Sequence, residues 1–551
     1  MLFFHIAFSQ NIHLKLEGQD SISNNYIKTL NYKTSFKNTK TLQEELTTLQ
    51  QRLLNYGYFN NIISPPTKIN NTSYTTKVNI NKHYENISIS YTNTPLNKTS
   101  LLDILTPNTE ITNTNFICKT SNLETNLNNI ITHLTETGQL FSSCQLTNID
   151  LKNSTVFAKL NLTTTTPTYI SKIKLKGYEK FPKKFIKHYL KLKPGQILNL
   201  NNTEQKSNHL NHLKFASEIK KPEILFTKDS ATVYLYPNKT KANHFEGFIG
   251  FSTNPDTEKL DINGNIDLKL INNLNSGEEI YFKYQSTENL QKRIFFKAAI
   301  PYIFNTPFSI EGDFEIFKKD SSFTNNTQSI QLKYNLNKNI SIGAGVRFNT
   351  SNSLTENNTT NIDFKKTSQL LSFNHRAPNT QSNFFTTKTK TLLEFTLTKR
   401  KTALENNNQQ NIFLTSEYIF QINRKNSFFI KNQSNYLISN TTFSNEQLYI
   451  GGINSIRGYQ ENSIPSTQYS ILNTEYRITL NNNLYTHTVI DYAITKAYNE
   501  NSTNNLFGFG LGFGLRTNNS LLRFIIANKK NKEEDVKFSE SKIHLSLSTI
   551  F

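Results

Sequence analysis

From residue 243 to the C-terminus, apolar and polar residues alternate one for one through segment after segment, and helical spacing is nearly absent. Leu260, Ile262, Gly264, Ile266, Leu268 and Leu270 alternate with Asp261, Asn263, Asn265, Asp267 and Lys269. Leu393, Phe395 and Leu397 alternate with Glu394, Thr396 and Thr398, and Ile543, Leu545 and Leu547 with His544, Ser546 and Ser548. Period two sends alternate side chains to opposite faces of a strand. Such strands either stack into a large sandwich or propeller, or close into a barrel with an apolar outside and a polar lumen. The 309 residues hold sixteen candidate strands, about 19 residues for each strand with its connection, of which about ten cross a bilayer on a tilt. An even antiparallel count leaves no edge in lipid. The short Gly- and Pro-punctuated strands of a sandwich are missing, so a transmembrane barrel is expected.

Composition narrows the remaining classes. No run of 18 apolar residues exists in the 551, which excludes helical membrane spans. Trp is absent, and 40 Phe and 25 Tyr supply rings for a core or for the aromatic girdles of a barrel. The net charge is +20, but Lys is spread along the chain, with short clusters such as Lys183-Lys184, Lys220-Lys221 and Lys529-Lys530. That pattern is compositional bias without a basic patch, and nucleic acid is not expected as a partner.

The start of the chain reads differently. Residues 1–9 form an apolar run closing on small residues, the pattern of a signal-peptide tail; a buried first strand is the other reading. Three copies of one small module follow, at 10–82, 83–168 and 169–240. In the first, Ile12 to Gly18 alternates as a strand, Leu42, Leu46, Leu49, Leu53 and Leu54 fall at helical spacing, Gly57 stops the helix, and Tyr74 to Ile80 alternates again. The second repeats the order with strands at 87–91, 140–151 and 156–162 and a helix at 123–134. The third has a strand at 169–177, helices near 182–190 and 203–213, and strands at 215–219 and 231–236. Phe59, Phe141 and Phe215 hold equivalent places, 82 and 74 residues apart, as repeated whole domains would. Cys118 and Cys144, the only cysteines, form one possible disulfide in an oxidising compartment and are small buried hydrophobes in a reducing one. They make no zinc site, and neither metal nor other cofactor is expected.

In the third module Ile173-x-Leu175-x-Gly177, Phe181, Leu190-Lys-Leu-Lys-Pro-Gly195 and Leu213-Lys-Phe215 resemble the POTRA pattern. The resemblance implies periplasmic domains that dock unfolded chains by adding a strand to an open sheet edge, for which an unpaired edge is chemically suited. A plain spacer array is the alternative.

Within the barrel region, Gly508, Gly510, Gly512 and Gly514 share one face of a strand whose other face carries Phe507, Phe509, Leu511, Phe513 and Leu515. A strand face without side chains marks close approach of another backbone, so a packed segment inside the barrel is expected. The connection 437–466 carries Gly451-Gly452-Ile453-Asn454-Ser455-Ile456-Arg457-Gly458-Tyr459. This run, with Gly451, Gly452, Ser455, Ile456, Arg457, Gly458 and Tyr459 in place, resembles the lumenal loop of the BamA/TamA superfamily of outer-membrane assembly factors and their two-partner-secretion relatives. The resemblance implies a loop folded into the lumen with its Arg on acidic wall residues. Period-two arithmetic finds two such residues: Glu475 lies opposite Leu472, Tyr476, Ile478 and Leu480, and Asp491 lies opposite Ile490, Tyr492 and Ile494. An Arg fork bridges two carboxylates through charge-assisted bonds; three independent lumenal charges are the bland alternative. Glu475-Tyr476-Arg477 and Val489-Ile490-Asp491-Tyr492-Ala493 also match that family's following strands, with Ala493 where Gly is usual. Phe551 ends an alternating strand, similar to the insertion signal of outer-membrane barrels.

No nucleophile elbow, phosphate loop or metal-ligand spacing occurs, so the chain is not read as an enzyme. The resemblance implies an outer-membrane assembly factor, closer by its three repeats to the TamA-like kind. It would hold unfolded barrel clients at the repeats and release them to outer-membrane lipids through a seam between the first and last strands, which Gly247 and Gly250 would loosen. A TamB-like protein or accessory lipoproteins are its implied partners. A two-partner-type secretion pore is the alternative reading, and a passive porin a more distant one.

Overall fold

The computed structural model describes residues 11–228, 230–253, 260–286, 291–355, 361–382, 384–500, 502–530 and 538–551. The proposed signal-peptide remnant at 1–9 lies outside these residues. The chain divides into two compact units: residues 1–172 with 194–203 and 224–232, and residues 173–193 with 204–223 and 233–551.

The first unit contains the first two modules. In the first module, Ile12–Gly18 and Ser73–Asn79 pair in parallel, so a crossover must join them. Helices α1 (Ser21–Thr29) and α2 (Thr39–Asn55) supply it. Leu42, Leu46, Leu49 and Leu53 of α2 are buried against Leu14, Leu16 and Val78 of the sheet. Asn38 caps α2 by accepting from Thr41 N at 2.9 Å. Helix α1 has no leucine stripe; Asp20 caps it, accepting from Ser23 N at 2.6 Å.

The second module repeats the plan. Asn86–Ser90 pairs in parallel with Thr155–Thr163, and helices α3 (Lys98–Ile104) and α4 (Leu123–Glu136) make the crossover. The sheet runs Glu110–Ile111, Asn115–Lys119, Asn86–Ser90, Thr155–Thr163, Ser143–Lys152, so Ser143–Lys152 is an edge. The possible disulfide is not formed: Cys118 and Cys144 are both free thiols. They lie on strands three positions apart in that order, roughly 14 Å at the usual strand spacing, beyond the reach of a disulfide. Both pack in the module's apolar core, and burial pushes the Cys118 thiol up and the Cys144 thiol up to about 11.

Sixteen antiparallel strands close a barrel in the second unit. They are β1 (His244–Thr253), β2 (Leu260–Ile271), β3 (Glu279–Ser286), β4 (Gln291–Ile300), β5 (Phe308–Lys319), β6 (Phe323–Asn335), β7 (Ile340–Ser353), β8 (Phe364–Pro378), β9 (Thr387–Lys401), β10 (Asn406–Gln421), β11 (Asn426–Ile438), β12 (Gln468–Thr479), β13 (Leu484–Lys496), β14 (Asn504–Arg516), β15 (Ser520–Lys530) and β16 (Lys542–Ile550). Each follows its sequence neighbour, so every connection is a hairpin. Outward residues such as Phe348, Leu371, Leu472, Ile490, Leu511 and Leu545 are exposed, whereas inward Gln331, Ser372, Thr396, Gln409, Asn473 and Asp491 are buried. β1 pairs with β2 over ten positions but with β16 over only three, His244 with Ile550, Phe245 with Thr549 and Glu246 with Ser548. Among the described residues no helix is long and apolar enough to cross a membrane; the barrel crosses with strands.

Candidate functional site

The connection between β11 and β12 does not project outward. It folds into the barrel and touches walls on opposite sides. Ile450, Ile456 and Tyr459 of the loop pack on Tyr469 and Ile471 of β12 and Ala493 of β13. Ala493 is fully buried there, beneath an apolar loop face.

Arg457 sits at the loop's inner tip, 4% exposed. Its Nε and Nη2 donate to the two carboxylate oxygens of Asp491, at 2.8 and 2.6 Å, and its backbone N–H donates to Asp491 Oδ2 at 2.8 Å. Its Nη1 donates to Glu475. Glu475 lies on β12 and Asp491 faces it from β13, through Asn473, their inward neighbour in register. Asn473 Nδ2 donates to Ser455 O at 2.6 Å, and Ser455 Oγ accepts from Gly451 N at 2.6 Å, which closes the turn that presents Arg457. Gly458 has φ +91°, and a Cβ there would strike the Asn528 carbonyl on β15; only glycine meets both demands.

Three charges buried this deeply are stable only when mutually paired and hydrogen-bonded. The bidentate fork on Asp491 and the single bond to Glu475 provide that pairing. The arrangement is a mechanical latch: it fixes the loop backbone against β12 and β13.

The glycine face of β14 divides its tasks. A Cβ at Gly508 would meet the carbonyl of Arg457, so the loop backbone lies on this residue. A Cβ at Gly510 would meet Ile526 O of β15. At Gly512 and Gly514 the space is filled by the His487 and Tyr485 side chains of β13. Thus one glycine seats the loop, and two admit inward side chains of the neighbouring strand. Phe551 ends the chain just beyond β16, its N–H donating to Asn243 O at 3.0 Å.

Residues 168–238 match the POTRA family, described as a surface antigen variable number repeat. Among solved structures, CdiB from Escherichia coli is 13% identical, with 93% of this chain and 98% of that chain covered at a TM-score of 0.55. CdiB from Acinetobacter baumannii is 15% identical over the same shares, with a TM-score of 0.53. A BamA structure from Haemophilus ducreyi, lacking POTRA domains 1–3, is 13% identical over 78% of this chain and 93% of that one, with a TM-score of 0.48. The chain shares the fold of the CdiB structures, with a POTRA module and a closed sixteen-stranded barrel. A search of curated proteins finds no match.

Two features of the barrel were not singled out from sequence. Arg400, inward on β9 and fully buried, donates to Glu446 Oε2 and Glu405 Oε1, both at 2.7 Å, and to Thr441 Oγ1 at 2.6 Å. Its guanidinium lies 4.0 Å over the Phe443 ring. Lys366 reaches Glu446 at 2.7 Å, and Gln409 donates to the same carboxylate at 2.9 Å. The loop is therefore tied at its entrance as well as at its tip. The second feature is the turn between β8 and β9, at the end of the barrel opposite the loop's origin. There Phe384 and Phe385 pack edge-on against Tyr485, at 5.0 and 4.9 Å between ring centres, and Arg477 lies 4.1 Å over Phe385. Sequence offered one usable signal: Arg400 and Arg477 are long cations on inward positions of alternating strands.

Proposed function

We propose that the chain is an outer-membrane protein assembly factor that folds and inserts β-barrel clients. The observation that carries this reading is the seam: three residue pairs join β1 to β16, against ten between β1 and β2 and eight between β15 and β16. Unpaired N–H and C=O groups are costly in lipid. A short seam next to free strand edges therefore favours capture of an incoming strand, which satisfies those groups as it pairs. No nucleotide-binding site is needed, because the client's own folding supplies the free energy. The modules lie in the periplasm and hold the unfolded client; Ser143–Lys152, ten residues long, offers an open edge for strand addition. The partners in this reading are unfolded outer-membrane clients and outer-membrane lipids, with a TamB-like protein or accessory lipoproteins alongside.

The test uses the full chain in liposomes, with a urea-denatured outer-membrane barrel followed by heat-modifiable gel shift. The expected result is faster folding than in empty liposomes. A Phe245→Cys/Thr549→Cys pair, placed on facing seam positions, should abolish the acceleration when oxidised and restore it when reduced. A second reading, a polypeptide-secretion pore, is favoured by the coverage of both CdiB chains to 98%. No acceleration, together with large steady conductance, would decide for the pore.

A further inference from the structure

The strongest unassigned feature lies at the barrel end where the third module joins β1, within the second unit. Two hairpin turns meet helix α5 (Lys184–His188) there. Tyr178 Oη donates to Asn275 Oδ1 at 2.8 Å in the β2–β3 turn. Lys184 Nζ donates to Pro301 O at 2.6 Å in the β4–β5 turn, and His188 Nε2 lies 2.8 Å from Asn305 O. The Tyr302 ring stacks on His188 at 5.3 Å and meets Phe185 edge-on at 5.1 Å.

These contacts hold the β4–β5 turn in an unusual shape. Tyr302, Phe304 and Asn305 all have positive φ, at 53°, 50° and 55°. Bulky residues rarely adopt this conformation, and it persists only where surroundings enforce it. The outcome is that Phe304 stands 93% exposed, while Leu274 on the β2–β3 turn is 71% exposed. Ile300 and Phe308, at the ends of the two strands that this turn joins, are exposed as well. A soluble surface gains nothing from presenting such side chains; an acyl layer does.

Directly beside them is a cleft of about 490 Å3 lined by Lys183, Lys184, Lys187, Asn275, Ser276 and Asn305. Lys183 and Lys187 are four residues apart on one helical turn, so they share a face, and both are exposed. The nearby Glu278 carboxylate is occupied by the Leu274 and Ser276 backbone N–H groups, at 2.7 and 3.0 Å. Exposed cations and exposed apolar side chains beside one cleft match one kind of molecule: an amphiphile with an anionic head.

We infer that this rim binds an anionic phospholipid, with its phosphate at Lys183 and Lys187 and its acyl chains against Phe304 and Leu274. The site ties the third module to the bilayer beside the seam-bearing barrel. It rests on the membrane location of the barrel and is tested separately from it.

The full chain, purified in mild detergent, is offered phosphatidylglycerol or phosphatidylcholine, and retained lipid is counted by native mass spectrometry. Phosphatidylglycerol should be retained preferentially. Lys183→Glu/Lys187→Glu should weaken its retention by about twenty-five-fold, at roughly fivefold for each lysine. Phe304→Ser should weaken both lipids. Lys28→Glu/Lys98→Glu, which makes the same charge change in the first unit, should alter nothing. Equal retention by the wild type and the Lys183→Glu/Lys187→Glu variant overturns the site, as does complete displacement by excess inorganic phosphate, which would mark a phosphate site without a lipid. Each protein is also checked for heat-modifiable migration in liposomes. A chain that inserts but shows no lipid preference refutes this site alone, whereas a wild type that never inserts refutes the membrane reading.

Discussion

Arg477 and Arg457 converge on one carboxylate, that of Glu475: Arg477 Nε donates to Glu475 Oε2 at 2.7 Å, and Arg457 Nη1 donates to Oε1. Glu475 is therefore the hinge between the loop that descends from one end of the barrel and the Phe384–Phe385 turn that enters from the other. Asp491, by contrast, serves Arg457 alone among the described ion pairs.

Removing Arg457 leaves Asp491, fully buried, with only the backbone N–H of residue 457. Breaking a buried pair on one side costs on the order of 3–5 kcal/mol. Arg457→Ala should lower the thermal unfolding temperature and open residues 439–467 to subtilisin, with cleavage sites mapped by mass spectrometry. Arg457→Lys should fall between, because an ammonium cannot make the fork on Asp491 while also reaching Glu475. Unchanged protection in Arg457→Ala would disprove the latch.

The Arg477 guanidinium lies between two rings, 4.1 Å over Phe385 and 4.0 Å over Phe429. Desolvated stacking of this kind contributes roughly 2 kcal/mol. Phe384→Ser/Phe385→Ser should free the β8–β9 turn, leave the sixteen strands intact by circular dichroism, and raise ion conductance in planar bilayers. Conductance equal to wild type would show that this turn does not obstruct the lumen.

Arg400 and Arg457 hold one loop at two points, so their losses should not add. Arg400→Met keeps the packing on Phe443 but removes one of the two cations on buried Glu446, leaving Lys366, and leaves Glu405 without its bond from Arg400, a cost of roughly 2–3 kcal/mol. Once either tie is gone the loop is already loosened, and the second removal costs less. The double variant should therefore unfold above the temperature expected from the sum of the two single shifts. Strict additivity would mean that the two ties act on independent segments.

Much of this was legible because a barrel wall alternates between lipid and lumen. Glu475 at 8% exposure and Tyr476 at 38% are neighbours in sequence with opposite surroundings, and period two alone separates them. Helices α2 and α4 were legible through their buried stripes, Leu42-Leu46-Leu49-Leu53 and Asn126-Ile130-Leu134. Helices α1 and α3 were not: α1 carries no leucine, and α3 is seven residues with two buried apolar side chains, too short to show a period. The Arg400–Glu446 tie and the Arg477–Phe385 stack join distant segments across the lumen, where no spacing rule applies. The glycine face of β14 was legible as a place of close approach, but not in its division. That His487 and Tyr485 fill the space at Gly512 and Gly514 depends on the register of β13 against β14, Tyr485 with Gly514 and His487 with Gly512.

That division ranks the glycines of β14. A methyl at Gly508 would meet the carbonyl of Arg457, and a methyl at Gly510 would meet that of Ile526; neither backbone can yield without losing its own bonds. A methyl at Gly512 meets only the His487 ring, which can rotate away. Gly508→Ala should expose the loop to subtilisin much as Arg457→Ala does, because it displaces the same residue. Gly510→Ala should weaken the β14–β15 pairing and lower the unfolding temperature with the loop still protected. Gly512→Ala should be mild, and His487→Ala in the same chain should relieve most of its cost, since the side chain that filled the site is then absent. Equal damage from all three would mean that the strand needs glycine for its own backbone, and that the loop plays no part in selecting it.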